Sequence, residues 1–114
     1  MNDSNAAGGF AEVAAATAKK WLDAGEAVLI DVREVNEYAD RHIPGAMLVP
    51  LSQFDPGKIP QEDGLKVVVH CAVGQRSAAA CDYLAKQGFT GLHNLAGGIQ
   101  TWAYEGLPTE RGAK

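Results

Sequence analysis

Short apolar runs of strand length, such as Ala27-Val28-Leu29-Ile30 and Val67-Val68-Val69, are continuous instead of alternating with polar residues. A strand that is apolar at every position must be covered on both faces, which is the condition of a buried parallel sheet. Met47-Leu48-Val49 and Gly91 to Leu95 read as two further brief strands, and the third run extends over Leu65 to His70. The stretches between them have helical character. Ala14 to Ala24 places Val13, Ala14, Thr17, Ala18, Trp21 and Leu22 along one face and stops at Gly25. Glu34 to Arg41 reads as a short polar helix or turn before Pro44-Gly45. Ser77 to Gln87 is a helix stopped by Gly88, and Ile99 to Glu105 is another. Strands alternating with helices predict an open α/β layer structure. Ligands in such sheets gather at the carboxyl ends of strands, here Asp31-Val32-Arg33 and His70-Cys71.

The length of 114 residues fits one core, expected over residues 10–108, with loose tails at 1–9 and 109–114. Ten Lys and Arg against fourteen Asp and Glu give a net charge of −4, which argues against a nucleic-acid backbone as partner. No apolar run approaches the ~20 residues needed to cross a bilayer. The N-terminus lacks a basic segment followed by an apolar one, so a cytoplasmic location is the expectation. Oligomeric state is not indicated.

Two cysteines make no disulfide framework. Cys81 falls in line with Ala78, Leu84 and Ala85 on an apolar helix face and reads as packing. Cys71 reads as chemistry. A buried strand delivers it to the loop Ala72, Val73, Gly74, Gln75, Arg76, Ser77, which opens a helix with Ser77 or a neighbour as N-cap. A loop wound around a helix start turns backbone N–H groups inward and cradles negative charge. Gly74 lets it curl, and Arg76 adds fixed positive charge. A sulfur held there is expected to ionise near neutral pH, as a nucleophile requires.

Asp31 and Arg33, at a neighbouring strand end, read as supporting residues: an ion pair or a set of bonds fixing the loop. His42 reads as a turn residue satisfied by backbone, and His70 points away from Cys71 by strand alternation. His93 has no evident partner. No metal-ligand spacing occurs, so no metal or other cofactor is expected. Gly97-Gly98 suggests a helix starting against the sheet, and Trp21 and Trp102 read as core.

Several segments in order carry a resemblance: Asp31-Val32-Arg33-Glu34, Tyr38-Ala39-Asp40-Arg41-His42-Ile43-Pro44-Gly45-Ala46, the Cys71 loop, Asn94-Leu95-Ala96-Gly97-Gly98-Ile99 with Trp102, and Gly106-Leu107-Pro108. From about Ala11 to Pro108 the chain resembles the single-domain rhodanese sulfurtransferases. The resemblance implies an open, mainly parallel five-stranded sheet with helices on both faces. It implies that Cys71 takes a sulfane sulfur from a donor, thiosulfate or a small or protein-bound persulfide, and holds it as a persulfide. A nucleophilic acceptor, cyanide or a thiol, then removes it. A sulfur-relay protein partner, with the chain as a low-turnover sulfur carrier, is the alternative.

Cysteine-dependent phosphatases have a similar motif, His-Cys, five residues, then Arg-Ser or Arg-Thr. Here four residues, Ala72 to Gln75, separate Cys71 from Arg76. The shorter ring favours a single sulfur over a phosphate needing donors for three oxygens. In two-domain thiosulfate enzymes cations in the loop and shortly after the Asp-x-Arg hold the donor. This loop offers Ala72, Val73 and Gln75, and the second region offers Glu37, so thiosulfate is expected to be the weaker donor.

Overall fold

Val67, Val68 and Val69 are all fully buried, and the fold follows from that need. The computed structural model describes residues 9–112. Five strands, β1 (Ala11–Val13), β2 (Ala27–Asp31), β3 (Met47–Leu48), β4 (Lys66–His70) and β5 (Leu92–Leu95), form one sheet in the order β1-β5-β4-β2-β3. Every pairing is parallel. Three α-helices, α1 (Ala15–Asp23), α2 (Val35–Asp40) and α3 (Gln75–Lys86), lie between strands, and α4 (Gly98–Tyr104) follows the last of them. Two 3-10 turns, Leu51–Gln53 and Pro56–Lys58, lie in the connection from β3 to β4.

Alternate residues of the apolar strands enter different cores. Ile30, Val67 and Val69 join Ala80, Cys81, Leu84 and Leu92, the layer beneath α3. Leu29 and Val68 join Ala15, Ala18, Leu95, Ile99 and Trp102, the layer beneath α1 and α4. Each fully buried valine or leucine contributes about 1.5–3 kcal/mol, so both layers are strong constraints on the register. The expected parallel α/β architecture is the observed one.

Central strands β2 and β4 lie side by side, with Asp31 opposite His70. From β2 the chain moves outward to β3, and from β4 it moves the other way to β5. The strand order therefore reverses between β2 and β4, which leaves a crevice at their carboxyl ends. Both Asp31-Val32-Arg33 and the Cys71 loop sit there.

The expectations for Val13, for Ala14 and Thr17, for Ser77 and for Trp21 need correction. Val13 belongs to an edge strand, β1, and not to the first helix; in α1 the buried residues are Ala15 and Ala18, while Ala14 and Thr17 are exposed. A three-residue strand paired only with β5 is too short to show a pattern. The third helix starts at Gln75, with Gly74 as N-cap at φ +105°, so Ser77 lies inside the first turn. Trp102 is core and donates from Nε1 to the Pro108 carbonyl at 2.8 Å. Trp21 is only half-buried, with the Lys66 ammonium 5.0 Å from its ring centre.

Residues 1–8 and 113–114 of the expected tails lie outside the described residues. Residues 109–112 are not loose. His42 and Glu110 exchange two backbone hydrogen bonds of 2.8 Å, and Gly112 N–H donates to the Ala39 carbonyl at 2.8 Å.

Candidate active site

Cys71 leaves β4 at the floor of the loop, 1% exposed, and the loop closes around its sulfur. Gly74 N–H donates to Sγ at 3.1 Å and Ser77 N–H at 3.3 Å. The Ser77 hydroxyl lies 3.3 Å from the same sulfur. Burial pushes the Cys71 thiol up, but these donors, the Ser77 hydroxyl foremost, outweigh it and hold the pKa below the ordinary thiol value. The left-handed backbone at Gly74 is what turns the N–H groups inward, because a residue with Cβ resists φ +105°. The placement of Ser77 in the first turn, instead of at the cap, is what lets both its N–H and its side chain face the sulfur.

Outside the ring, α4 braces the loop. Ile99 N–H donates to the Cys71 carbonyl at 3.0 Å and Gln100 N–H to the Ala72 carbonyl at 3.1 Å. Only glycine fits at position 98, where a Cβ would lie 2.5 Å from each of those two carbonyl oxygens. The Gly97-Gly98 pair thus starts a helix against the loop itself. Asn94, buried in β5, reaches the ring from the other side. Its Oδ1 accepts from the Ser77 hydroxyl at 2.5 Å and its Nδ2 donates to the Gly74 carbonyl at 3.1 Å.

Comparison with known proteins places the chain in a family. A family model described as "Rhodanese-like domain" matches residues 14–105. The chain belongs to the rhodanese-like domain family. A protein named "Sulfurtransferase" from Allochromatium vinosum is 38% identical over 92 residues, 79% of this chain and 84% of its own length. An uncharacterised Synechocystis protein is 39% identical over 82 residues, 72% of this chain. This chain spans 46%, about half, of that relative's length. A rhodanese-related crystal structure from Thermoplasma volcanium superposes with a TM-score of 0.76 at 33% identity, covering 87% of this chain and 96% of the other.

Within this rhodanese-like domain the remaining site residues fall into place. Arg76 does not turn into the ring. Its two terminal nitrogens each donate to the Glu37 carboxylate at 2.9 Å, and Glu37 is itself fixed at the first turn of α2 by accepting from Glu34 N–H at 2.9 Å. Arg76, expected from sequence to add positive charge to the loop, is thus held at its rim in an ion pair with Glu37. The Arg76 guanidinium holds the Glu37 carboxyl down to about 2, despite some burial acting the other way. The partner comes from an element far away in the chain, which loop spacing alone does not reveal.

Asp31 and Arg33 form the expected ion pair. Arg33 donates to the two carboxylate oxygens at 3.0 and 2.8 Å and to the Arg41 carbonyl at 2.7 Å. The pair fastens the end of β2 to the end of α2. His70 bridges it to the loop: Nδ1 donates to the Cys71 carbonyl at 3.1 Å, and Nε2 lies 3.5 Å from Asp31 Oδ2. Burial keeps the His70 imidazole below its usual pKa.

His42 is fully buried, with ring nitrogens 2.9 Å from the Tyr38 carbonyl and 2.9 Å from the Glu110 carboxylate. It also stacks on Tyr38, so backbone satisfies one ring nitrogen as expected while a distant carboxylate takes the other. His93 does have partners, the edge of Trp21 and the Gly91 carbonyl at 3.0 Å. Cys81 is buried in the α3 core, and burial pushes its thiol up to about 12. Among the described residues, no group of three His, Cys, Asp or Glu is placed to hold a metal ion, and no helix is long and apolar enough to cross a membrane. Asn94 and Glu37 are the site residues that sequence reasoning missed. The first showed only as part of a motif, and the second only as a place where a cation was lacking.

Proposed function

We propose that the chain is a sulfurtransferase that carries a sulfane sulfur as a persulfide on Cys71. The observation that carries this reading is the convergence of the Gly74 and Ser77 donors on one sulfur at the end of β4. The thiolate attacks the outer sulfur of a donor, forming a new S–S bond as the donor's own bond to that sulfur breaks. With thiosulfate, the leaving group is sulfite and the enzyme keeps a persulfide anion. Cyanide or a thiolate then attacks the terminal sulfur, leaves as thiocyanate or a new persulfide, and returns Cys71 as thiolate. No external base is needed, because an ionised nucleophile gives up no proton. The same inward N–H groups that hold the thiolate suit the persulfide anion. Two free cysteines go with a reducing, cytoplasmic setting.

The Glu37–Arg76 pair makes a persulfide a better donor than dianionic thiosulfate, since the loop's one cation is already matched. It also counts against a phosphatase, whose ring arginine must face the phosphate. The exposed apolar side chain of Val73 at the loop rim suits a second reading, a sulfur relay that passes its cargo to a docking protein.

Intact-mass measurement of the reduced protein, before and after thiosulfate or glutathione persulfide, tests both. One added sulfur, removed by cyanide and absent in Cys71→Ser but present in Cys81→Ser, is the expected result. Stable loading with slow release to cyanide would move the relay into first place. No added sulfur from either donor would overturn sulfur transfer.

A further inference from the structure

Ser77 has one hydroxyl proton and two acceptors within reach, Cys71 Sγ at 3.3 Å and Asn94 Oδ1 at 2.5 Å. The Asn94 amide cannot be turned over. Its other neighbours are the Gly74 carbonyl at 3.1 Å and the Glu12 carboxylate at 3.0 Å, both acceptors, so the nitrogen must face them and the oxygen must face Ser77. Asn94 is 3% exposed and sits opposite Glu12 in the β1–β5 register, while Glu12 itself is on the surface. An amide that donates to a carboxylate is polarised, and its oxygen becomes the stronger acceptor.

We propose that Asn94 is a positioning residue that governs the charge on the Cys71 sulfur by competing with it for the Ser77 proton, with Glu12 setting how strongly it competes. When Cys71 is a neutral thiol, S–H donates to Ser77 Oγ and the Ser77 O–H donates to Asn94. When the thiol proton leaves to solvent, the Ser77 O–H turns to the thiolate and Asn94 Oδ1 loses its donor. Apart from the S–H bond that gives its proton to solvent, no covalent bond changes, and Ser77 keeps its proton throughout. A surface carboxylate three strands from β2 thus acts on the reactive sulfur through a buried amide and a hydroxyl.

The inference rests on Cys71 being the reactive sulfur, but its test needs no sulfur donor, so failure here and failure of sulfur transfer are separable. The rate of Cys71 alkylation by iodoacetamide, read by peptide mass across pH, reports the thiolate midpoint. Glu12→Gln should lower that midpoint by about half a unit, roughly threefold more thiolate below it. Asn94→Asp should raise it by about one unit, a tenfold loss of thiolate, because a charged acceptor holds the Ser77 proton harder. In a Ser77→Ala background the Glu12→Gln shift should shrink to less than half. A loosened loop would move both variants upward together, so opposite signs separate positioning from mere structure. An unchanged or raised midpoint in Glu12→Gln overturns the proposal. So does a shift undiminished in Ser77→Ala, which would mark a direct charge effect, or a lowered midpoint in Asn94→Asp. Should Asn94→Asp fail to fold, the two Glu12→Gln measurements decide alone.

Discussion

Arg76 and Glu37 meet through two parallel hydrogen bonds of 2.9 Å, although 39 residues separate them in the chain. With the Glu37 carboxyl held down to about 2, the pair stays charged at any working pH. At the Cys71 loop the Arg76 charge is therefore balanced by that of Glu37. That balance is a feature of two elements, the start of α2 and the start of α3, and neither alone produces it.

Donor preference should follow from this pair. Glu37→Gln leaves Arg76 unmatched at the rim of the loop, and an anionic donor gains most. The kcat/KM ratio of thiosulfate to glutathione persulfide is expected to rise roughly threefold to tenfold, the scale of about 1 kcal/mol at a partly exposed ion pair. Steady-state kinetics with both donors checks it, and an unchanged ratio would sink the idea that the pair selects the donor. The fold should survive, since both side chains are partly exposed.

Ser77→Ala removes the foremost group holding the Cys71 thiol down. Its N–H remains, as does that of Gly74, so the ring persists with one donor fewer. The thiolate midpoint is expected to rise by about one unit, with about a tenfold slower alkylation at neutral pH. At pH values above both midpoints the variant and the parent should react alike. A variant that stays slow at high pH would instead point to a lost loop shape.

What could be read from sequence was what is local. The strand that delivers Cys71, the glycine that bends the loop and the arginine at its end lie within a few residues of one another. The apolar runs also revealed the two-faced sheet, since Val67 to Val69 cannot be buried any other way. What stayed hidden depends on register. Asn94 reaches Ser77 because β5 lies beside β4, and Glu12 reaches Asn94 because β1 lies beside β5. No spacing within one segment encodes those neighbours. Ser77 lies past the cap for a different reason. Serine is a common cap, yet the left-handed backbone at Gly74 starts the helix earlier.

Gly98→Ala should cripple the site from outside the ring. The backbone there is at φ +61°, and a Cβ would lie 2.5 Å from the Cys71 and Ala72 carbonyl oxygens. Backbone strain of about 1–3 kcal/mol is expected before any clash is added. The melting temperature should fall and persulfide loading should be lost. Gly25→Ala is the control, because its φ of +73° carries similar strain while nothing lies within 4 Å of the added carbon. If both variants load sulfur equally well, the brace from α4 is not needed for the loop.

Acid should weaken the fold partly through His70. The imidazole is fully buried and held below its usual pKa, chiefly by that burial, although the Asp31 carboxylate acts the other way. In the unfolded chain histidine takes up a proton near pH 6.5, while the folded form resists until the pH is lower. The unfolded state therefore binds more protons as pH falls through that range. The stabilising contribution is complete above about pH 6.5 and is lost as pH falls towards the folded pKa. His93, also held low, adds a slope of the same sign. Urea denaturation at pH 7.5 and 5.5 should show a larger loss for the parent than for His70→Gln, even though the variant starts out less stable. Equal losses in the two proteins would mean that charging of His70 is not what acid exploits.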